Sequence, residues 1–303
     1  MDNGRVDLHR LRVLLELCRL GSMHAVAEAM HTSTSTVSQQ IATLAREAGT
    51  PLVEPVGRRV RLTPAGRRLA DHAVTILAAV DAARLDLDPD AEPSGSVRVA
   101  GFATAIRRSL LPAVADLATT APAVEMRIHE FEPLEAIDLI LRDEVDLALV
   151  YDYNLAPLSL SDDVVTWPLW EVPWGLGVPA TDRRTSRATD LAEYADHDWI
   201  VNSRNTADEE AVRTLASLVG FTPRVVHRID SLELVEDLID AGRGVGLLPL
   251  DHVATRQVRV RPLVDPGATL RAYAVVRRGR ELWPPLRLVL DRLADTPTTS
   301  PVR

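Results

Sequence analysis

A row of short polar side chains lies on one face of a helix predicted near the start of the chain. Residues spaced by three and four share a helix face, and two such faces occur from Ser35 onward: a polar face with Ser35, Gln39, Ala42 and Arg46, and an apolar face with Val37, Ile41, Leu44 and Ala48. Hydroxyl and amide groups near a helix N-terminus are groups that hydrogen-bond base edges and phosphates. Capping would account for Ser33 or Thr34 alone, so the pattern favours a helix that reads DNA.

Three arginines follow in a segment that alternates arginine with apolar residues. The run VEPVGRRVRL reads as two short strands joined at Gly57, with Arg58 and Arg59 at the tip of the hairpin and Arg61 in its second strand. Beside a DNA-reading helix, these guanidinium groups could reach phosphates or the minor groove. A charged hairpin tip is often only solvated, but the position of this one favours contact with DNA.

Two further helices must position the polar helix. The first carries its apolar residues, from Leu8 to Cys18, at helical spacing and ends at Gly21. Ser22 can cap a short second helix over residues 23–30. The order is therefore helix, turn, helix and wing. Because Cys18 lies on the apolar face, a structural thiol is favoured over a redox sensor.

A longer helix is predicted to start at Thr63-Pro64, with Thr as its cap and Pro at its first position. Its apolar residues recur at alternating steps of four and three, at Leu69, Ala73, Ile76, Val80, Ala83 and Leu87. This spacing is typical of a coiled-coil seam, which needs a partner helix. The seam could pack within its own chain, but dimerisation through this helix is favoured.

The N-terminal segment resembles the DNA-binding part of LysR-type transcriptional regulators. The resemblance covers about the first ninety residues and is carried by GSMHAVAEAMHTSTSTVSQQIATLAREAGTPLVEPVGRRVRLTPAG. It implies a winged helix-turn-helix over 1–63 and a linker helix over 64–90. It also implies base contacts from Thr34, Ser35, Ser38 and Gln39, and a wing contact from Arg58 or Arg59.

This sequence departs from the family pattern at three places. The usual Gln-Pro-Ala opening of the recognition helix is Thr34-Ser35-Thr36, a frequent basic position is Gln39, and the usual arginine after Leu-Phe-Glu is Pro55. Two positive contacts are thus absent. Each neutralised phosphate adds about 0.9 to the slope of the logarithm of the DNA-binding constant against the logarithm of the salt concentration. We therefore expect a shallow slope here.

The remaining two hundred residues alternate short apolar runs with helical patterns after the turn-rich linker PDAEPSG. Strands SVRVAGF, VEMRIHEF and VDLALVY with helices between them predict a parallel βαβαβ unit, and a second set follows from VVTWPLW onward. Two α/β lobes with a cleft between them are therefore expected over 95–295, with lobe I at about 95–163 and 267–295 and lobe II at about 164–266. The family resemblance, including AGRGVGLLP, implies a periplasmic-binding-protein-like effector domain.

Ligands of such sheets sit beyond the carboxyl ends of strands, where helix N-termini present free N–H groups. The turns at 102–104 and 202–206 qualify, and Thr104 matches a family position that usually contacts the effector. Capping alone would equally explain Thr104. The candidate effector residues are Thr104, Tyr151, Asp152, Asn202, Ser203 and Arg204. Because Arg204 could hold an anion, a small carboxylate metabolite is the preferred effector.

Composition and charge limit the functional classes to which this chain could belong. Residues 1–68 hold ten Arg against six acidic residues, a net charge of +4, whereas the whole chain has a net charge of −9. Basic character therefore coincides with the predicted double-stranded DNA interface. No segment has a signal-peptide core or a membrane-spanning length of apolar residues, so a cytoplasmic location is expected.

The sequence offers no motif for catalysis, a metal or a cofactor. The leading hypothesis is an effector-controlled DNA-binding regulator that forms homodimers, which could pair into tetramers. Two alternatives stay open: an architectural DNA-binding protein without a ligand, and an enzyme or solute-binding protein on the same two-lobed fold.

Overall fold

The computed structural model describes residues 6–56, 59–88, 90–184, 189–204, 206–251 and 257–295; in addition, the side chain of Arg59 is outside this description. Its first helices are α1 Leu8–Leu20, α2 Met23–Ala29 and α3 Thr34–Glu47. The Asp7 carboxylate accepts hydrogen bonds from the first turn of α1, and Gly21 ends that helix at a φ of +65°. The buried faces of the three helices meet in one apolar cluster around Leu14, Ile41 and Leu44. The predicted helix-turn-helix is confirmed.

A two-stranded antiparallel ribbon follows, formed by β1 Val53–Val56 and β2 Arg59–Leu62. Helix α4 then runs over Pro64–Leu87, with the Thr63 hydroxyl accepting a hydrogen bond from the Gly66 amide. The wing and the linker helix thus form at the predicted places.

The face of helix α4 that packs within its own chain differs from the predicted coiled-coil seam. Ala70, Ala73, Val74 and Leu77 are buried in the N-terminal cluster. Of the seam residues only Ala73 belongs to that buried set, whereas Ile76 is 40% exposed and Leu87 is 84% exposed. An apolar part of the seam therefore remains on the surface of the single chain.

The C-terminal part is built on a mixed sheet with helices packed against it. Its strands are β3 Gly95–Gly101, β4 Val124–Glu130, β5 Leu147–Tyr153, β6 Val164–Pro179, β7 Asp198–Val201, β8 Arg224–Arg228, β9 Val245–Pro249, β10 Val258–Pro262 and β11 Ala268–Arg277. Neighbouring strands follow the order β4-β3-β5-β11-β6-β9-β7-β8, and β10 pairs with β6. Strands β3, β4 and β5 are parallel, as are β7, β8 and β9. These two parallel sets confirm the two-lobed α/β fold.

Strand β6 is longer than the sequence predicts and joins the two lobes. The sequence pattern predicts two strands here, VVTWPLW and WGLGVP, but one continuous strand forms over Val164–Pro179. Its first part pairs with β11 as far as Trp174, and β10 takes over that edge from Gly175. The change of partner lies ten residues beyond the start of lobe II proposed from the sequence at 164.

The helices of this part begin mostly where strands end. They are α5 Ala103–Ala105, α6 Leu111–Thr120, α7 Pro133–Leu141, α8 Ala207–Leu218, α9 Leu232–Asp240 and α10 Pro284–Ala294, with short 3₁₀ turns at Leu191–Tyr194 and Arg280–Leu282. The sequence pattern predicts a helix between β3 and β4, but a π-helical turn over Ile106–Leu110 separates α5 from α6. Among the helices that the structure describes, none is long and apolar enough to span a membrane.

Gly66 holds the start of α4 against the loop before the wing. A Cβ atom at this position would lie 2.1 Å from the backbone oxygen of Leu52. We therefore expect Gly66→Ala to lower the free energy of unfolding by about 1–3 kcal/mol, the usual cost of overpacking. Urea unfolding measures this, with Arg67→Ala at the next, exposed position as control. Equal stability of both variants would contradict the assignment.

Candidate functional site

The polar face of α3 is open to solvent while its apolar face is buried. Thr34, Ser35, Ser38 and Gln39 are all exposed. The Ser33 hydroxyl caps the helix by accepting a hydrogen bond from the Thr36 amide at 3.1 Å. Capping therefore employs Ser33 and leaves the four predicted base-contacting side chains on one accessible surface.

The wing presents only part of the predicted arginine set within the described residues. Gly57, Arg58 and the Arg59 side chain lie outside them. Arg61 is described, and its Nε and Nη2 donate to Oε1 of Glu54 at 3.0 and 2.7 Å. Both side chains are on the surface, with 64% of the Arg61 side chain exposed. Glu54 was not singled out in the sequence, because only the register of β1 and β2 places it opposite Arg61.

The cleft between the lobes contains a buried polar cluster at the carboxyl ends of strands. The Tyr151 hydroxyl donates to Oε2 of Glu132 at 3.2 Å, and Nδ2 of Asn202 donates to the Tyr151 hydroxyl at 3.4 Å. All three residues are buried. Tyr151 and Glu132 belong to lobe I and Asn202 to lobe II, so this chain of hydrogen bonds crosses the cleft.

Ser203 and Arg204 are both held by a carboxylate at the end of β8. Oδ2 of Asp230 accepts from the Ser203 hydroxyl at 2.5 Å and from Nε of Arg204 at 2.8 Å. The Arg204 guanidinium also reaches lobe I, where Nη1 donates to Oε2 of Glu135 at 3.4 Å. Glu132 and Glu130 lie slightly farther from Arg204, at 3.9 and 4.0 Å.

The helix that carries Thr104 begins next to this cluster, whereas Asp152 is not part of the cluster. Thr104 is half-buried in α5, whose preceding residue Phe102 packs edge-on against Tyr151 at 4.7 Å between ring centroids. Asp152 faces the other side of β5, because neighbouring residues of a strand alternate. Its carboxylate accepts from Nε and Nη2 of Arg271 at 2.8 and 2.9 Å. The proposed role of Asp152 in effector contact is therefore replaced by a structural ion pair.

Further ion pairs cross the cleft from the π-helical turn. Arg108 lies 3.0 Å from Asp251, and its guanidinium also stacks 4.7 Å from the ring centroid of Trp170. Arg107 lies 3.5 Å from Glu233 at the start of α9. Because π-helical turns are frequent at functional sites, this turn extends the candidate site.

The cleft raises the pKa of two of its carboxyl groups, those of Glu132 and Asp208. Burial, aided by Asp208 and Asp230, raises the pKa of Glu132 from 4.5 to about 7, against the effect of the Tyr151 hydrogen bond and Arg204. Burial likewise raises the pKa of Asp208 to about 6, with Tyr153 acting in the opposite direction. For both groups burial is the larger cause, and the negative charge of Asp230 adds to it.

This charge distribution removes the basis for a carboxylate effector. That expectation relied on Arg204 as an anion anchor, but its guanidinium is engaged by Asp230 and Glu135.

The sequence alone does not single out the acidic groups of the cluster, because Glu132 and Asp208 stand at helix starts, where acidic residues ordinarily act as caps. Only the fold brings them together.

The wing pair gives a test on DNA. Glu54→Gln should free Arg61 for one more phosphate contact and steepen the log–log salt dependence of non-specific DNA binding by about 0.9 per protomer. Fluorescence anisotropy across a salt series measures this. Glu28→Gln removes the same charge from an exposed position on α2 and serves as control. Superimposable slopes for the two variants would contradict a latent phosphate contact at Arg61.

The raised pKa of Glu132 gives a test on stability. A carboxyl group whose pKa is higher in the folded state stabilises the fold below its unfolded pKa, and this stabilisation is lost as pH rises through the folded pKa. Between pH 4.5 and about 7 the native chain should therefore lose stability that Glu132→Gln retains. At pH 8 the free energy of unfolding of the variant should exceed that of the native chain by up to about 3 kcal/mol.

Urea unfolding at pH 5 and pH 8 makes that comparison, with Glu144→Gln as an exposed control in the same lobe. The amide oxygen that Glu132→Gln introduces would still accept from the Tyr151 hydroxyl, so the hydrogen bond is retained. If Glu132→Gln changes the free energy of unfolding by the same amount at pH 5 and pH 8, the raised pKa of Glu132 is not the cause of the change.

Comparison with known proteins assigns both parts of the chain. A model described as LysR substrate binding domain matches residues 90–297, and one described as bacterial regulatory helix-turn-helix protein, lysR family, matches residues 8–67. The HTH-type transcriptional regulator CysB of Burkholderia cenocepacia is 26% identical over 293 residues, which cover 88% of this chain and 90% of the relative.

Solved structures agree with the fold. A full-length OxyR variant from Pseudomonas aeruginosa matches with a TM-score of 0.72 at 20% identity, covering 98% of this chain and 97% of the other. Full-length CbnR in complex with its target DNA matches with a TM-score of 0.53 at 19% identity, covering 96% and 99%. Since the substrate-binding-domain model alone spans more than half of the 303 residues, this chain belongs to the LysR family of bacterial transcriptional regulators.

Proposed function

We propose that this regulator reads a DNA operator through Thr34, Ser35, Ser38 and Gln39 and is switched by a small molecule in the cleft between its two lobes. The observation that carries the DNA part is the exposed polar face of α3, whose opposite face is buried in the three-helix core. Arg58, Arg59 and Arg61 would hold the flanking phosphates or the minor groove. CbnR, which has the same fold, was solved with its target DNA.

The regulator acts as a homodimer in this proposal. Ile76 and Leu87 lie on the exposed side of α4, and burying them requires a partner helix. Two copies joined along α4 would present two recognition helices to half-sites about 34 Å apart. The boundaries 1–63, 64–90 and 95–295 remain our division of the chain, with the change between lobes moved to the partner switch in β6.

The effector part is supported by polar contacts that cross the cleft. We assign effector contact to Thr104, Tyr151, Asn202, Ser203 and Arg204, and a ligand held by these residues would change how far the lobes close. Lobe I also contacts the linker helix, because Arg277 donates to Asp71 of α4. Closure can therefore be transmitted to the DNA-binding part. In this proposal the chain acts in the cytoplasm, where its DNA lies, and catalyses no reaction.

Footprinting on the DNA upstream of its own gene tests the proposal, with and without metabolites linked to neighbouring genes. We expect protection of a two-fold symmetric site whose extent changes with one of these metabolites. Absence of protection under every condition would contradict a DNA-binding regulator. Protection that never responds to a metabolite would instead favour an architectural DNA-binding protein.

Variants separate the proposed roles on DNA. Gln39→Ala should reduce discrimination between operator and unrelated DNA by about 1–3 kcal/mol, the usual contribution of a base contact. Gln40→Ala is the matched control, since Gln40 is the adjacent, less exposed amide. Arg59→Ala should weaken binding to all DNA about equally. If Gln39→Ala and Arg59→Ala have the same effect on every sequence, the division into base and phosphate contacts is wrong.

A further inference from the structure

Arg204 places a guanidinium from lobe II among carboxylates of lobe I. It is anchored in its own lobe by Asp230 at 2.8 Å and reaches Glu135 at 3.4 Å, Glu132 at 3.9 Å and Glu130 at 4.0 Å. The guanidinium thus bridges the two lobes. Its position shows which kind of group the lobe I surface accepts.

The surroundings remain strongly acidic after Arg204 is counted. Within the described residues, the carboxyl groups at this place are those of Glu130, Glu132, Glu135, Asp208 and Asp230, against the single guanidinium. The arginines of the π-helical turn are paired elsewhere, with Glu233 and Asp251. The pKa of Glu132 is raised by burial first and by its acidic neighbours second. A second cation would relieve this repulsion, whereas an anion would increase it.

A second observation is a buried pair of polar side chains beside Glu132. Tyr153 is 0% exposed, and its hydroxyl is close enough to the Asp208 carboxyl for each to affect the pKa of the other. Neither the Tyr153 hydroxyl nor Oδ1 of Asp208 forms a hydrogen bond of normal geometry with the described residues. The Asp208 carboxyl also raises the pKa of Glu132, so it adds negative charge to the same place.

We propose that the effector of this cleft is a small organic cation, an alkylguanidinium or alkylammonium compound, that replaces the Arg204 guanidinium on the carboxylates of lobe I. This proposal rests on the cleft being the effector site. Arg204 acts in it as a built-in competitor that holds the lobes together while the ligand is absent. Ligand binding releases Arg204 and lets the lobes readjust around the new cation.

If Arg204 competes with the ligand, its removal should have the opposite effect on ligand affinity from its removal at an anion site. Arg204→Gln should raise the affinity for a cation, because the internal competitor is gone, whereas it should abolish affinity for an anion that Arg204 held. Glu132→Gln should lower cation affinity by about one to two orders of magnitude, since hydrogen bonds to charged groups contribute about 1.5–3 kcal/mol and each 1.4 kcal/mol is tenfold. Arg142→Gln is the control, because Arg142 pairs with Asp138 on the exposed side of lobe I.

Isothermal titration calorimetry of the full-length chain uses agmatine and n-butylguanidinium as cations and succinate and butyrate as anions of similar size. We expect heat of binding for the cations only, with affinity several-fold higher for Arg204→Gln and unchanged for Arg142→Gln. Circular dichroism checks that the variants fold. If Arg204→Gln does not fold, Glu135→Gln carries the test, because it should weaken cation binding without removing the bridge to Asp230.

Two outcomes would overturn the proposal. Binding of succinate or butyrate that is lost in Arg204→Gln would identify an anion site. Binding of neither class, in a protein whose footprint responds to another metabolite, would reject the cation and leave the regulator function intact. A footprint that responds to no metabolite would instead reject effector control itself, so the two failures can be told apart.

Discussion

The structure of the C-terminal part depends on the backbone pairing of one strand. Strand β6 pairs with β11 along its first part and with β9 and β10 along its second, so it belongs to both lobes. The exchange of β11 for β10 occurs between Trp174 and Gly175. A Cβ atom on Gly175 would lie 2.4 Å from the backbone oxygen of Arg261, so the close approach of β10 requires glycine there. The lobes are thus joined by a continuous strand and by the return connection from β10 to β11 over residues 263–267.

The cleft beside this strand is lined by charged groups from both lobes. The facing surfaces carry Glu132 and Glu135 on one lobe and Arg204 on the other. Removing water from such charges is costly unless they are paired. Pairing with Arg204 does not offset the burial of Glu132, as the raised pKa of this carboxyl group indicates. The closed cleft is consequently sensitive to any added charge.

Much of the fold follows from local sequence patterns, whereas the cleft does not. The spacing of Leu11, Leu14 and Leu15 and the caps at Ser33 and Thr63 determine helices within a few residues of chain, so the helix-turn-helix and α4 were predicted with nearly their observed bounds. Strand β6 is predicted as two strands from local patterns, because the partners that pair along its whole length, β9, β10 and β11, lie far along the chain. It tolerates Pro168 and Pro173 as one strand with a register shift near Ala272.

The polar sites show the same division between local and long-range information. The exposed face of α3 is a property of one helix, so its residues could be named from the sequence. The partner of Arg61 depends on strand register, and the group around Arg204 combines residues from 130 to 230. Asp152 was misplaced for a related reason: the end of β5 was identified correctly, but the side of the sheet that each residue faces depends on the pairing with β11.

The contact between lobe I and α4 shows how a small change in the cleft could matter at the DNA. Arg277, at the end of β11, donates to Asp71, and a Cβ atom on the neighbouring loop residue Gly279 would lie 2.0 Å from the Thr75 hydroxyl. Both contacts fall in the first half of a helix that is about 36 Å long at 1.5 Å per residue. A rotation of about 10° around one end of such a helix moves the other end by about 6 Å. Because half-sites must be matched at about 34 Å, a displacement of that size is enough to change which DNA spacing a dimer built on α4 can hold.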